Sequence, residues 1–208
     1  MPEFDAVLFD FDGVLIDSEP MHWRCWAEVL QPLGVALDWE FYRQSCIGID
    51  DREMLRMMAT RCDPPRDWEH LWAQYPAKSE LYRDRMLTAP PFPTGLAKLL
   101  EELRVSYKLA VVTSSGRPEI EPLLEAGGLR SYFGALVCAH DAPRHKPAPD
   151  PYLLAAKLLE ARTPLVVEDS SAGVASAHAA GFEVLVVRDP VQTPQLVRRR
   201  LSSGAMAG

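Results

Sequence analysis

The 208-residue chain has few basic residues, no long apolar run and only four cysteines. Its 22 lysines and arginines stand against 29 acids, a net charge of −7. That balance gives no general attraction to nucleic acid, although a local basic pocket for an anionic substrate stays open. No apolar stretch approaches the roughly 20 residues a membrane-spanning helix needs. The first residues include Glu3 and Asp5 and no basic cluster, which argues against a secretory leader. Cys25, Cys46, Cys62 and Cys138 show no metal-ligand spacing, so buried, reduced thiols in a cytoplasmic protein are expected. No internal repeat is visible. The remaining composition is ordinary for a globular protein, 48% hydrophobic and 25% charged. The length allows one good core with a smaller appended domain, and a monomer is the default.

Five short segments rich in Val or Leu read as strands: Ala6–Phe9, Leu109–Thr113, Ala135–Cys138, Leu165–Val167 and Val184–Val187. Their apolar character fits strands buried on both faces of a parallel sheet. From residue 94 onward, helical segments alternate with them over about 94–105, 117–126, 150–161, 171–180 and 193–200. The pattern predicts an α/β fold whose core is a doubly wound, Rossmann-like parallel sheet. Gly127-Gly128 and Gly181 follow helices, as C-terminal caps do. Residues 18 to about 88 break the pattern. They hold no convincing strand but all five tryptophans, Trp23, Trp26, Trp39, Trp68 and Trp72, at helical spacing that suits a core. The expected domains are a core of 1–16 and 90–208 and an inserted all-helical domain of 17–89, with Pro90-Pro91-Phe92-Pro93 marking the return. The tail from Arg198 to Gly208 is expected to fray.

Asp10 and Asp12 follow the first strand, two residues apart. Strand alternation predicts that both carboxylates leave on one side, where they repel unless a cation or a proton joins them. Ligands of parallel α/β sheets bind beyond the carboxyl ends of the strands. The second strand ends in Thr113-Ser114, the fourth in Glu168-Asp169, and the connection after the third carries Lys146. Taken singly, each is an ordinary turn, cap or surface residue. Together they place acids, a hydroxyl and a lysine at one rim, an ensemble suited to phosphoryl transfer. A carboxylate can act as nucleophile, a second can move protons, Mg²⁺ prefers such oxygens, and lysine and hydroxyls can neutralise phosphoryl oxygens.

Four motifs carry a resemblance to the haloacid dehalogenase-like superfamily. They are Asp10-Phe11-Asp12-Gly13-Val14, Val111-Val112-Thr113-Ser114, Lys146-Pro147-Ala148-Pro149-Asp150, and Val167-Glu168-Asp169-Ser170 with Ala172-Gly173. The insertion is similar to the helical cap of the phosphatase and β-phosphoglucomutase branch. The resemblance implies that Asp10 is the nucleophile forming an aspartyl-phosphate and Asp12 the general acid/base, its backbone carbonyl reaching Mg²⁺. It implies that Thr113 and the Ser114 N–H, with Gly13 beside them, bind phosphate, and that Lys146 bridges Asp10 and phosphate. Asp169 would ligate Mg²⁺, with Glu168 as a ligand directly or through water.

Asp12 and the Glu168-Asp169 pair argue against dehalogenation, which in this family lacks the second aspartate and the metal. The phosphonatase branch needs a cap lysine for a Schiff base, and the only lysine here is Lys78, near the end of the insertion. In the mutase, a cap arginine grips a second phosphate. The matching stretch here is Gly48-Ile49-Asp50-Asp51-Arg52, with Asp51 at that place and Arg52 one residue off. The expected function is therefore a phosphatase acting on a small phosphorylated metabolite, with a phosphosugar mutase as the alternative and a non-catalytic binding module a more distant one. His22 is a candidate for orienting Asp12, Glu19 for lining the substrate pocket and Arg52 for swinging in. His140 and His145 flank the Lys146 loop.

Overall fold

The computed structural model describes residues 3–47, 49 and 51–205. In chain order, β1 (Ala6–Phe9) is followed by α1 (Glu19–Leu30), α2 (Trp39–Ser45), α3 (Asp51–Arg61), α4 (Trp68–Trp72) and α5 (Tyr75–Thr88). Next come α6 (Leu96–Leu103), β2 (Lys108–Val112), α7 (Arg117–Ala126) and β3 (Ala135–Val137). The chain then forms α8 (Asp150–Leu159), β4 (Pro164–Glu168), α9 (Ser171–Ala179), β5 (Glu183–Val186) and α10 (Thr193–Ala205). It packs as two compact units, one made of the chain up to Asp17 and from Pro90 onward, the other of Ser18–Ala89.

The first unit is built on a five-stranded sheet of order β3-β2-β1-β4-β5. Every pairing is parallel, with Leu8 of β1 in register with Ala110 of β2 and Val166 of β4. Alternation divides each central strand between two buried faces. Ala6, Leu8, Ala110, Val112 and Val166 join Tyr152, Ala155 and Leu159 of α8 and Ala177 of α9 in one cluster. Val7, Phe9, Leu109, Val111, Leu165 and Val167 alternate with them and are equally buried. This two-sided burial accounts for the continuous apolar runs.

β5 departs from the expectation. It lies at the sheet edge, so Glu183 and Val186 are exposed. The tail is also more ordered than expected, because α10 runs on to Ala205. Arg198 pairs with Glu102 of α6 at 2.7 Å. Arg200 pairs with Glu3 at 2.9 Å and Glu183 at 2.5 Å, and its guanidinium lies over the Phe4 ring. The tail read as a frayed end because the acidic partners of its arginines are far away in sequence. The last three residues of the tail lie outside the described residues.

Among its described residues the second unit has helices joined by short turns and no strand. Trp26, Leu30, Met54, Leu55, Met58 and Leu71 form its buried centre, and the other four tryptophans pack around it half-buried. Asp38 caps α2 by accepting from Phe41 N at 2.8 Å, and Asp67 caps α4 through Glu69 N at 3.1 Å, each satisfying a helix-start N–H.

Leu8 is fully buried at the centre of the sheet. Leu8→Ala is expected to cost about 2–5 kcal/mol, read as a lowered denaturation midpoint in urea.

Candidate active site

β1 lies between β2 and β4, so the chain departs to either side of it, and ligands of such sheets bind at the carboxyl ends of the strands there. Asp10 N donates to Val167 O at 2.9 Å and Thr113 N to Val137 O at 2.9 Å, so neighbouring strands hold the residues just past β1 and β2. Lys146 arrives from the β3–α8 connection. Two contacts brace that connection: Arg144 with Asp150 at 2.8 Å, and Ser176 Oγ donating to Ala148 O at 2.5 Å.

The ammonium of Lys146 is the hub. It donates to Asp10 Oδ1 at 2.6 Å, Glu168 Oε1 at 2.6 Å and Val112 O at 2.9 Å. An ammonium has three protons, and these contacts use all of them. Glu168 is fully buried and receives five hydrogen bonds. Oε1 accepts from Lys146 and from Tyr152 OH at 2.9 Å. Oε2 accepts from Asp169 N, Ser170 N and Ser170 Oγ at 2.9–3.0 Å. Two glycines permit this crowding. A Cβ on Gly173 would overlap the Glu168 carboxylate, and one on Gly13, whose φ is +75°, would overlap Asp169.

Asp10, Glu168 and Asp169 each bring one carboxylate oxygen to within 4.8 Å of the others. Three carboxylates beside one ammonium leave about two negative charges in excess. Burial, reinforced by Glu168 and Asp169, raises the Asp10 carboxyl well above its ordinary value despite Lys146. Burial and then Glu168 push Asp169 up to about 7. Lys146 resists its own burial because Asp10 and Glu168 hold it protonated; at Glu168 burial works the other way, but Lys146 together with the Ser170 N–H and the Tyr152 hydroxyl lowers that group. An oxygen-only donor set with surplus negative charge fits a hard divalent cation such as Mg²⁺.

β1 ends at Phe9, so strand alternation does not govern Asp12. Asp12 forms an isolated bridge with Ile16, and its Oδ2 accepts from Ser115 Oγ at 3.0 Å. Its carboxylate is not among the three clustered acids. Thr113 is buried, and its hydroxyl accepts from Ser115 N at 3.0 Å, which leaves the hydroxyl proton for another acceptor. Ser114 is exposed. Ser115 and Tyr152 did not emerge from the sequence. Ser115 read as part of a helix start, although it lies in the same hydroxyl run. Tyr152 lies within the expected helix of residues 150–161 and carries no local signal of its partner Glu168.

The candidates of the helical unit have partners of their own there. His22 Nδ1 lies 2.8 Å from Lys78 Nζ, and its ring stacks on Tyr82. Burial and then Lys78 lower its pKa well below the ordinary value, so the ring is neutral. Lys78 also pairs with Asp51 at 3.2 Å, and Asp51 accepts from Trp26 Nε1 at 2.8 Å. Glu19 accepts from Tyr42 OH at 3.0 Å. The Arg52 guanidinium lies 4.9 Å from the centre of the Trp72 ring. Gly48 and Asp50 of the stretch matched to the mutase arginine lie outside the described residues. His140 and His145 stack edge to face at 6.1 Å, both exposed.

The family model described as haloacid dehalogenase-like hydrolase matches residues 7–187. The chain belongs to that family. It is 31% identical over 194 residues to a protein of Escherichia coli named fructose-1-phosphate phosphatase YqaB, covering 89% of this chain and 97% of the relative. It is 29% identical over 182 residues to a phosphorylated carbohydrates phosphatase of Thermotoga maritima, covering 86% and 82%. The crystal structure of a β-phosphoglucomutase from Clostridium difficile superposes with a TM-score of 0.73, covering both chains entirely at 21% identity. That last likeness is one of fold. As a haloacid dehalogenase-like hydrolase the chain is an enzyme, and its α/β Rossmann-like core is the one the strand pattern predicts.

The raised Asp169 carboxyl makes a test of cation binding. Below about pH 7 its proton competes with the ion, so affinity should fall about tenfold per pH unit. Calorimetric titration of Mg²⁺ is expected to give at least tenfold weaker binding at pH 6 than at pH 8. A proton should be released per ion at the lower pH, and pH-independent affinity would contradict the assignment.

Proposed function

We propose that this chain is a Mg²⁺-dependent phosphatase for a small phosphorylated metabolite, a sugar phosphate or a phosphoglycolate-like acid. The observation that carries the reading is the Asp10–Lys146–Glu168 chain beside Asp169, with Thr113 and Ser115 at the end of the neighbouring strand. A carboxylate fixed by an ammonium is an oriented nucleophile. The names of the phosphatase relatives support the same class.

In this reading an Asp10 carboxylate oxygen bonds to phosphorus as the bond to the leaving oxygen breaks. Asp12 gives its proton to the departing alkoxide. Asp12 then takes a proton from water, whose oxygen attacks the phosphorus of the aspartyl-phosphate, releasing phosphate and restoring Asp10. Thr113 and the Ser114 N–H donate to the phosphoryl oxygens, and Lys146 holds the nucleophile and faces the same charge. Asp10 and Asp169 would hold Mg²⁺, which supplies further neutralisation of the phosphoryl charge when bound. Glu168 has five donors already and would act on that ion through its neighbours. Two observations favour hydrolysis over transfer to a second phosphate site. Asp51 stands at the place of the mutase arginine and is committed to Lys78 and Trp26, while Arg52 covers Trp72. We assign the helical unit the choice of leaving group.

The test is Mg²⁺-dependent phosphate release from p-nitrophenyl phosphate and a panel of phosphorylated metabolites, with isomerisation of β-glucose 1-phosphate run alongside. Asp10→Asn is expected to lower turnover about a thousandfold or more without moving the thermal midpoint by more than a few degrees. Retained turnover would remove Asp10 as nucleophile. Inactivity of the folded wild-type chain on the whole panel would favour a binding module.

A further inference from the structure

Tyr152 takes no part in the chemistry above, yet it meets the hub of the site in two ways. It is fully buried in the first turn of α8, six residues after Lys146. Its hydroxyl donates to Glu168 Oε1 at 2.9 Å, the same oxygen that accepts from Lys146 at 2.6 Å. Its ring faces the ammonium, with Nζ 4.9 Å from the ring centre. The three protons of Lys146 go to Asp10, Glu168 and Val112, and the aromatic face lies against the charge as a further, weaker partner. Tyr152 thus holds both ends of the Lys146–Glu168 pair while touching neither Asp10 nor, in the proposed reaction, the substrate.

We propose that Tyr152 is a positioning residue that sets the place of the Lys146 ammonium, and through it the orientation of the Asp10 nucleophile. The inference deepens the phosphatase reading and rests on it for its catalytic consequence. Its physical content is independent of that reading. The Glu168 Oε2 side is held by Asp169 and Ser170, while Oε1 meets the terminal ammonium of a long, flexible-stemmed lysine. A second donor on Oε1 restricts where Lys146 can meet it. A ring against the ammonium restricts the other direction. The four-carbon lysine stem has many rotamers, which the ring and the second donor narrow, and small displacements of a reacting group are expensive in rate.

Tyr152→Phe keeps the ring and removes the hydroxyl, and Tyr152→Leu removes both. Loss of the hydroxyl leaves Glu168 Oε1 still bonded to Lys146, so the fold should persist, with a thermal midpoint lowered by no more than about 4 °C. Tyr152→Phe is expected to lower kcat about tenfold with KM within about twofold. In acid-quenched single turnovers, formation of the covalent phosphoenzyme should slow by the same factor. A readout free of turnover accompanies these. Labelling of Lys146 by an amine-reactive reagent, followed by peptide mapping, should proceed several times faster in Tyr152→Phe than in wild type. Wild-type kcat in Tyr152→Phe with a loss only in Tyr152→Leu would mean packing alone and overturn the inference, as would unchanged Lys146 labelling. A wild-type chain that releases no phosphate and forms no phosphoenzyme would instead defeat the phosphatase reading, and the labelling comparison would then decide the inference by itself.

Discussion

A single ammonium organises the rim of the candidate active site. Lys146 meets Asp10 after β1, the last carbonyl of β2 and Glu168 at the end of β4, so one charge ties three parallel strands together where their hydrogen-bond ladders end. Burial works against ionised groups there, and that cost is offset because the Lys146 ammonium lies 2.6 Å from both the Asp10 and the Glu168 carboxylates. The compensation is incomplete. Three acids converge on one cation, and the remainder appears as the raised carboxyls of Asp10 and Asp169. The surplus is a property of the fold itself: the sheet order puts β1 beside both β2 and β4, and parallel register delivers their polar ends to one place.

Much of this was legible in the chain. Short Val- and Leu-rich segments that end in polar groups fit strands of a parallel sheet whose carboxyl ends share one edge. Asp10, Thr113, Lys146, Glu168 and Asp169 were therefore visible as a set before any geometry. Less legible were the residues whose role depends on direction. Tyr152 and Leu153 are adjacent apolar letters in a helix, but one is fully buried and the other is half exposed, and only the sheet says which faces Glu168. Ser115 looked like a helix start because serine is common there, and its contact with Asp12 spans 103 positions. Alternation does not decide where Asp12 points, because Asp12 lies three residues past the end of β1. The tail was misjudged because its partners, Glu3, Glu102 and Glu183, leave no local mark beside Arg198 and Arg200.

The helical unit follows a different rule. Its core is aromatic and sulfur-rich, and its one lysine is buried against Asp51 and His22 with Trp26, Tyr75 and Tyr82 around it. A lone charge in such surroundings needs both an anion and π faces to persist. The sequence marked Lys78 only as the single lysine of the insertion and marked Asp51 as an acid in an arginine's place. The pairing of the two joins observations that had been separate, and it makes the neutral state of His22 a consequence of its cationic neighbour as well as of its burial.

The five donors around Glu168 narrow the chemistry permitted at that position to a single side chain. Both of its carboxylate oxygens are met by donors, so an amide would turn an N–H₂ group toward some of those hydrogens and leave them without an acceptor. An aspartate would stop one methylene short of Lys146 and Tyr152. Any larger group would strike α9 where Gly173 leaves room for nothing beyond a hydrogen. Of the twenty genetically encoded residues, one satisfies length, charge and acceptor count together. A position with no neutral neighbour in sequence space can change only if several of the surrounding residues change with it.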